Sequence, residues 1–425
     1  MDSKLVMELI TIPLFTGVIG YITNWTGILM LFQPLKFHGV HVPGLTVVYP
    51  YLHRRIQVLP LFDAGGSRLG WQGIVPSRAE KMASIVVDKS VLKLGSVADF
   101  YRELDPDSIA EHFVHIAEPE IRGVVDRIVS RENPRLWRNL PGFAREAVYR
   151  RVESDLPANA NKITDALGDH IEDLVDPKWM AIRHLTEHPK LINSIFREVA
   201  AKELRFMQNF GFYFGYPMGF VLVAVLHYAP YWWVLPVGGV IIGYVVNYIG
   251  IAMIYEPAHP RWWVPWRQGL LLKRRLQICD AFAEIIAGDV ITTDNMAREL
   301  LTGPRADRTL QVLDVVMRGS VDNALGRARV AIRVSLGSNE YERIQSALAP
   351  VVLDLATDAM ADRIFADQQA RKLKNFVAAQ MEKLSNEDFI DLLRSATKQD
   401  EWLLFVHGAV LGSFGGFLHL AIFGV

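Results

Sequence analysis

Residues Gly20-Tyr21-Ile22-Thr23-Asn24-Trp25-Thr26-Gly27-Ile28-Leu29-Met30-Leu31-Phe32-Gln33-Pro34 return later in the chain as Gly243-Tyr244-Val245-Val246-Asn247-Tyr248-Ile249-Gly250-Ile251-Ala252-Met253-Ile254-Tyr255-Glu256-Pro257. At a constant offset of 223, seven of the 15 positions are identical, and most of the others exchange one apolar or aromatic residue for another. Both copies sit in uncharged runs long enough to cross a bilayer, and both stop at a proline, which cannot continue a helix without losing a hydrogen bond. The stretch predicts a membrane helix with an asparagine inside it, present twice.

Working outward, no Asp, Glu, Lys or Arg occurs between Glu8 and Lys36, which places a first span at about Leu9 to Phe32. The 50 residues between Arg205 and Glu256 are also free of these charges, too many for one span of ~20 residues. Two spans meet there at Pro230-Tyr231-Trp232-Trp233, where proline breaks the helix and the aromatic rings suit the headgroup level. A last uncharged run, Trp402 to Val425, ends the sequence. The N-terminus has Asp2 and Glu8 around Lys4 and no small-residue cleavage site, so the first span reads as an uncleaved anchor.

The charged stretches between the spans read as helices. Asp105-Pro106 and Asp176-Pro177 each put a capping aspartate before a proline at the first helical position. Ser385 to Asp388 resembles a capping box. Gly73, Arg78 and Arg102-Glu103-Leu104 recur at an offset of 196 as Gly269, Arg274 and Arg298-Glu299-Leu300, while Gly211, Gly215 and Gly219 recur at 197 as Gly408, Gly412 and Gly416. The difference between 223 and 196 leaves 27 extra residues in the first copy, between Pro34 and Gly73.

The expected fold is an all-α membrane protein with four transmembrane helices in two parallel tandem repeats, each span, helical lobe, span. Residues 1–35 hold the first span and 36–205 a helical lobe with an interfacial insertion at 37–72. Residues 206–229 and 232–257 are the second and third spans, 258–401 a second helical lobe, and 402–425 the fourth span. Lys and Arg crowd the lobe side, with Lys36, Arg54, Arg55, Lys202, Arg205, Arg261, Arg267, Lys273, Arg274 and Arg275 near the membrane against Lys4 alone opposite. Both lobes are expected in the cytoplasm, below a plasma or bacterial inner membrane.

Composition narrows the function more than it defines it. The chain is 51% hydrophobic and 21% charged, and 45 Lys and Arg nearly balance 46 Asp and Glu, so no field favours nucleic acid as a partner. The single cysteine, Cys279, excludes an intrachain disulfide framework.

These motifs resemble a known family, the bacterial membrane proteins of domain of unknown function 445, which includes the YheB- and YjiN-like proteins. The resemblance rests on Gly20, Thr23-Asn24, the exit Ile28 to Pro34, then Gly73 to Pro76 and Arg78, and it covers essentially the full chain. The second copy departs from it, with Val246 for the threonine and Leu272 for the proline. The resemblance implies an integral membrane protein without an assigned biochemical activity.

Among candidate residues, Asn24 and Asn247 stand first. A side-chain amide in hydrocarbon must find partners, so each either bonds a neighbouring helix or lines a wet path, with Thr23 as a second polar group. Gly20, Gly27, Gly243 and Gly250 permit the close approach such bonds need. The rows Gly211, Gly215, Gly219 and Gly408, Gly412, Gly416 read as packing seams, or as flat surfaces for a second copy of the chain in a homo-oligomer. Membrane lipids are the expected partners, with Arg54, Arg55, Lys273, Arg274, Arg275, Trp262 and Trp263 as headgroup candidates. His112 and His115, or His184 and His188, share a helix face but lack a third ligand, so no metal and no other cofactor is expected. No phosphate loop, nucleophile elbow or repeated carboxylate pair at a membrane face is apparent, which argues against an enzyme. Two functions remain: a non-enzymatic envelope scaffold or lipid-handling protein, and a small-solute transporter or channel with a path between the repeats.

Overall fold

The computed structural model describes residues 3–57, 59–63, 65–88, 94–325, 333 and 338–424. Among the described residues, four helices are each long and apolar enough to cross a membrane. The first span is Ser3–Phe32, the second Ala201–Tyr228, the third Val234–Tyr255 and the fourth Glu401–Phe423. The second and third are joined at Pro230 to Trp233, where the rings of Tyr231 and Trp233 stack 5.8 Å apart. The peptide bonds before Pro34 and Pro257, the ends of the two copies, are both cis.

Packing divides the chain into two compact units, neither continuous in sequence. The first takes residues 1–90, 185–282 and 381–425, and the second takes 91–184 and 283–380. The two lobes expected in chain order, 36–205 and 258–401, therefore each contribute to both units.

In the first unit the spans pair antiparallel through glycine. At Gly20 and Gly211 the backbones of the first two spans meet so closely that a Cβ on either would fall on the other's carbonyl oxygen. The same holds for Gly243 and Gly408 in the third and fourth spans, and Gly412 stands likewise against Gly239. Added carbons at Gly215, Gly219 and Gly416 would strike the backbones of Thr16, Pro13 and Leu235. Both glycine rows are thus filled by spans of the same chain, so they are not the free flat surface a second copy would need. Gly27 and Gly250 differ, since a Cβ there would lie 3.4 Å from side-chain carbons of Leu404 and Phe210, ordinary van der Waals distance.

The insertion after the first span is not helical throughout. Two short strands, β1 (His38–His41) and β2 (Arg68–Trp71), pair antiparallel with Gly39 opposite Gly70. Val40, Val47, Val48 and Tyr51 of the insertion are exposed.

The second unit is helical. Ala110, Phe113 and Ala117 of the helix Pro106–Ala117 pack with Ile121, Val124 and Ile128, and with Leu355, Ala359 and Met360, into one core. The expected caps form: Asp105 accepts from the Ser108 amide and the hydroxyl, and Asp176 accepts from the Trp179 amide at 3.0 Å. In the first unit, Ser385 and Asp388 make their side-chain and backbone bonds as a capping pair.

Candidate site between the membrane spans

Both intramembrane asparagines are buried at 3% exposure. Asn24 Nδ2 donates to the Met207 carbonyl oxygen of the second span at 2.5 Å, and Asn247 Nδ2 donates to the Leu404 carbonyl oxygen of the fourth at 2.6 Å. Each amide fixes the register of a span pair at the level where glycines bring the backbones together. The two bonds are not equivalent in what they leave over. Asn24 Oδ1 is buried without a hydrogen-bond partner among the described residues.

A cavity of about 50 Å³ lies on one side of this layer, which we call the outer cavity. All four spans line it, with Thr16, Thr23 and Asn24 from the first, Leu222 from the second, Val246 from the third and His419 from the fourth. A second cavity of about 90 Å³, the inner cavity, is lined by the two carbonyl-bearing residues Met207 and Leu404, by Leu31 and Ile251, and by Glu203, Asp400 and Glu401. The asparagine layer thus separates an outer space with neutral polar groups from an inner one with carboxylates.

His407 and His419 are polar groups that a count of Asp, Glu, Lys and Arg passes over. His419 is buried, and its Nε2 lies 3.2 Å from Thr11 Oγ1, across the first and fourth spans. His407 Nε2 lies 3.4 Å from Thr26 Oγ1 in the same way. Two histidines in an otherwise apolar final run were the available signal.

The inner cavity corrects a further expectation. A repeated carboxylate pair does exist at a span end: Glu203 and Asp400 stand 197 residues apart, and both are buried at 4% exposure. Their partners are exchanged between the halves of the chain. Arg78 Nη1 contacts both Asp400 oxygens at 2.5 Å, and Arg274 Nη1 contacts the Glu203 oxygens at 2.7 and 2.9 Å. Burial raises the Asp400 carboxyl above its ordinary value, and the Arg78 guanidinium only partly offsets this. A third pair, Arg394 with Glu401 at 2.8 Å, also reaches Glu256 at 2.7 Å.

Of the headgroup candidates, Arg274 and Arg275 are committed to protein. Arg275 donates to Asn386 Oδ1 at 3.0 Å, to the carbonyl oxygens of Met381 and Glu382 at 3.1 and 3.0 Å, and to that of Leu384, with its guanidinium over the Phe389 ring. It therefore satisfies the carbonyls left open at the end of the Arg363–Lys383 helix. Lys273 is exposed, as are Trp262 and Trp263, and Arg261 lies over the Trp263 ring. The side chains of Arg54 and Arg55 lie outside the described residues. His112 stacks on Phe365 and reaches the Ala359 carbonyl oxygen, at 3.0 Å.

Four apolar helices joined by inward amides and buried ion pairs are the build of a membrane protein, and similarity points the same way. The chain is similar to UPF0754 membrane proteins. It is 25% identical over 209 residues to one from Synechococcus elongatus, covering 41% of this chain and 50% of the relative. It is also 25% identical over 180 residues to one from Thermosynechococcus vestitus, covering 36% and 41%. The chain thus aligns with half or less of the length of these curated relatives. Their name marks an uncharacterised bacterial membrane family, and it is not the name of the family that the motifs resemble. No family model matches the chain, and no solved structure matches it.

Proposed function

We propose that this protein is a non-enzymatic multi-pass membrane protein, built as a tandem repeat of span, helical segment and span, with a small-solute path between its two span pairs. The observation that carries the proposal is the pair of cavities on either side of the Asn24 and Asn247 layer, both lined from all four spans. Recurrence supports the repeat: the bonds Asn24 to Met207 and Asn247 to Leu404 are related by 223 on the donor and 197 on the acceptor. So are the closures Gln72 to Leu35 and Gln268 to Ala258, by 196 and 223. Excess Lys and Arg supports a cytoplasmic side for the charged segments.

The test introduces a thiol at the outer cavity. Cys279, the native cysteine, is buried away from reagents in water, and burial pushes its thiol up to about 11. In Thr23→Cys, a close match in size, a water-sized reagent, the hydroxyl radical generated by radiolysis of the surrounding water, should oxidise and so label the new thiol in vesicles. If position 23 stays unlabelled while the reagent labels an exposed control cysteine at Lys273, the path is sealed and the proposal fails.

The second reading is the lipid-handling scaffold. It is favoured by exposed apolar and aromatic groups beyond the spans, Val40, Val47, Tyr51, Trp262 and Trp263. It expects Trp262→Ala with Trp263→Ala to release phospholipid that the wild type retains in native mass spectrometry. Equal retention would remove it.

A further inference from the structure

We propose that the outer cavity binds a neutral, water-sized solute that donates hydrogen bonds, water or ammonia. The inference rests on the path proposed above and names what travels along it.

The argument follows the protons. A hydroxyl carries one. Thr11 Oγ1 donates its proton to the Met7 carbonyl oxygen at 2.9 Å, so toward His419 it accepts only. In the neutral ring, His419 Nε2 then carries the ring proton for their 3.2 Å contact, which leaves Nδ1 with a bare lone pair. Nδ1 is buried with no partner among the described residues. Asn24 has committed an amide proton to Met207, and its buried Oδ1 has no partner among the described residues either. Thr16 Oγ1, also on the cavity wall, gives its proton to the Ile12 carbonyl oxygen at 2.7 Å. Asn24 and His419 each leave an unused acceptor, and Thr16 keeps a lone pair.

Acceptors call for a donor. No carboxylate among the described residues lines the outer cavity, so a cation entering it would lose its hydration without gaining a countercharge. An anion would meet these lone pairs and no Lys or Arg among the described residues, with only neutral donors, the Thr23 hydroxyl and the second Asn24 amide proton, to offset them. Size sets the remaining limit, because a water needs ~10–15 Å³ of such space and the cavity offers about 50 Å³. A few water-sized molecules fit, and a sugar or polyol does not.

The test uses the full chain in phospholipid vesicles with stopped-flow detection. Osmotic shrinkage reads water, alkalinisation of an entrapped pH dye after an ammonium chloride pulse reads ammonia, and a potassium-sensitive dye reads a cation of similar size. Protein-containing vesicles should exceed empty ones for water, ammonia or both, which also identifies the solute, and match them for potassium. His419→Leu, which removes one acceptor, should cut the excess by about fivefold, the size of one net hydrogen bond, and His419→Gln, which keeps a donor and an acceptor, should restore most of it. Passage of potassium without water or ammonia would overturn the inference while leaving a path in place. No excess for any solute, where the Thr23→Cys thiol is oxidised, would overturn the inference alone. No excess with that thiol unlabelled would remove the path as well. The wild-type panel decides even if His419→Leu fails to fold.

Discussion

Asn24 and Gly211 show how the same interface holds energy at two residues for different reasons. The Asn24 amide contributes a hydrogen bond between spans, a kind worth ~0.6–2 kcal/mol in membranes because unfolded helices in lipid also find partners. Asn24→Leu and Asn247→Leu should therefore each lower stability by about that amount and leave a folded, monodisperse protein, read as a modest drop in melting temperature in detergent. The glycines behave otherwise. Gly211→Ala places a carbon on the Gly20 carbonyl oxygen, and two rigid backbones must separate. Gly250→Ala meets only side chains at ordinary van der Waals distance, the edge of Phe210 at 3.4 Å and Met207 Cγ at 3.7 Å. Gly211→Ala and Gly408→Ala should cost well over ~1 kcal/mol, as overpacking does, whereas Gly250→Ala should be near neutral or stabilising. Equal melting temperatures for Gly211→Ala and Gly250→Ala would show that the seam is not tight. The sequence marks all of these glycines alike, because spacing records that a residue is small and says nothing of what faces it.

At the scale of elements, ion pairs join the segment after each short Gly73 or Gly269 turn to the start of a span. Arg274 is one-quarter exposed and Glu203 almost wholly buried, so Arg274→Ala should cost about 3 kcal/mol, the low end for stranding one partner of a buried pair. Loss of phospholipid with unchanged melting would instead mean that Arg274 meets lipid. Glu299 of the helix Thr293–Thr302 offers a pH test. It is 1% exposed, with Arg183 Nη2 3.2 Å away, and burial raises its carboxyl above the ordinary 4.5 more than Arg183 lowers it. A group with a raised pKa binds more protons folded than unfolded, so its contribution is complete below 4.5 and is lost as pH climbs through the raised folded value. Hydrogen exchange in this helix should therefore speed up, beyond the intrinsic change, as pH rises through that interval, and Glu299→Gln should flatten the dependence. An identical profile in the variant would assign the effect to another group. These partners were poorly legible in advance: the offsets 196 and 197 match Arg78 to Arg274 and Glu203 to Asp400, but alignment relates equivalent residues, and the contacts run between non-equivalent ones.

For the whole molecule, the four spans were legible because exclusion of charge over some ~20 residues has few other causes. The division into compact units was not, since 91–184 and 283–380 come together by packing that no local pattern reports. Nor were β1 and β2, four residues each and about 30 positions apart, in which Gly39 and Gly70 supply no strand signature. Orientation remains a matter of charge. Spans that enter and leave the bilayer four times put Tyr231 on one side and Lys273 on the other, and from the excess of Lys and Arg we propose that Lys273 faces the cytoplasm. Both positions are exposed, Tyr231 at 57%, so cysteines placed there report the side rather than local burial. The native thiol contributes no background, being buried and pushed up to about 11. In intact cells a membrane-impermeant maleimide should label Tyr231→Cys, and should reach Lys273→Cys only after the membrane is opened. The reverse pattern would place the charged segments outside the cell, and labelling of both in intact cells would mean that the second and third spans do not cross as a hairpin.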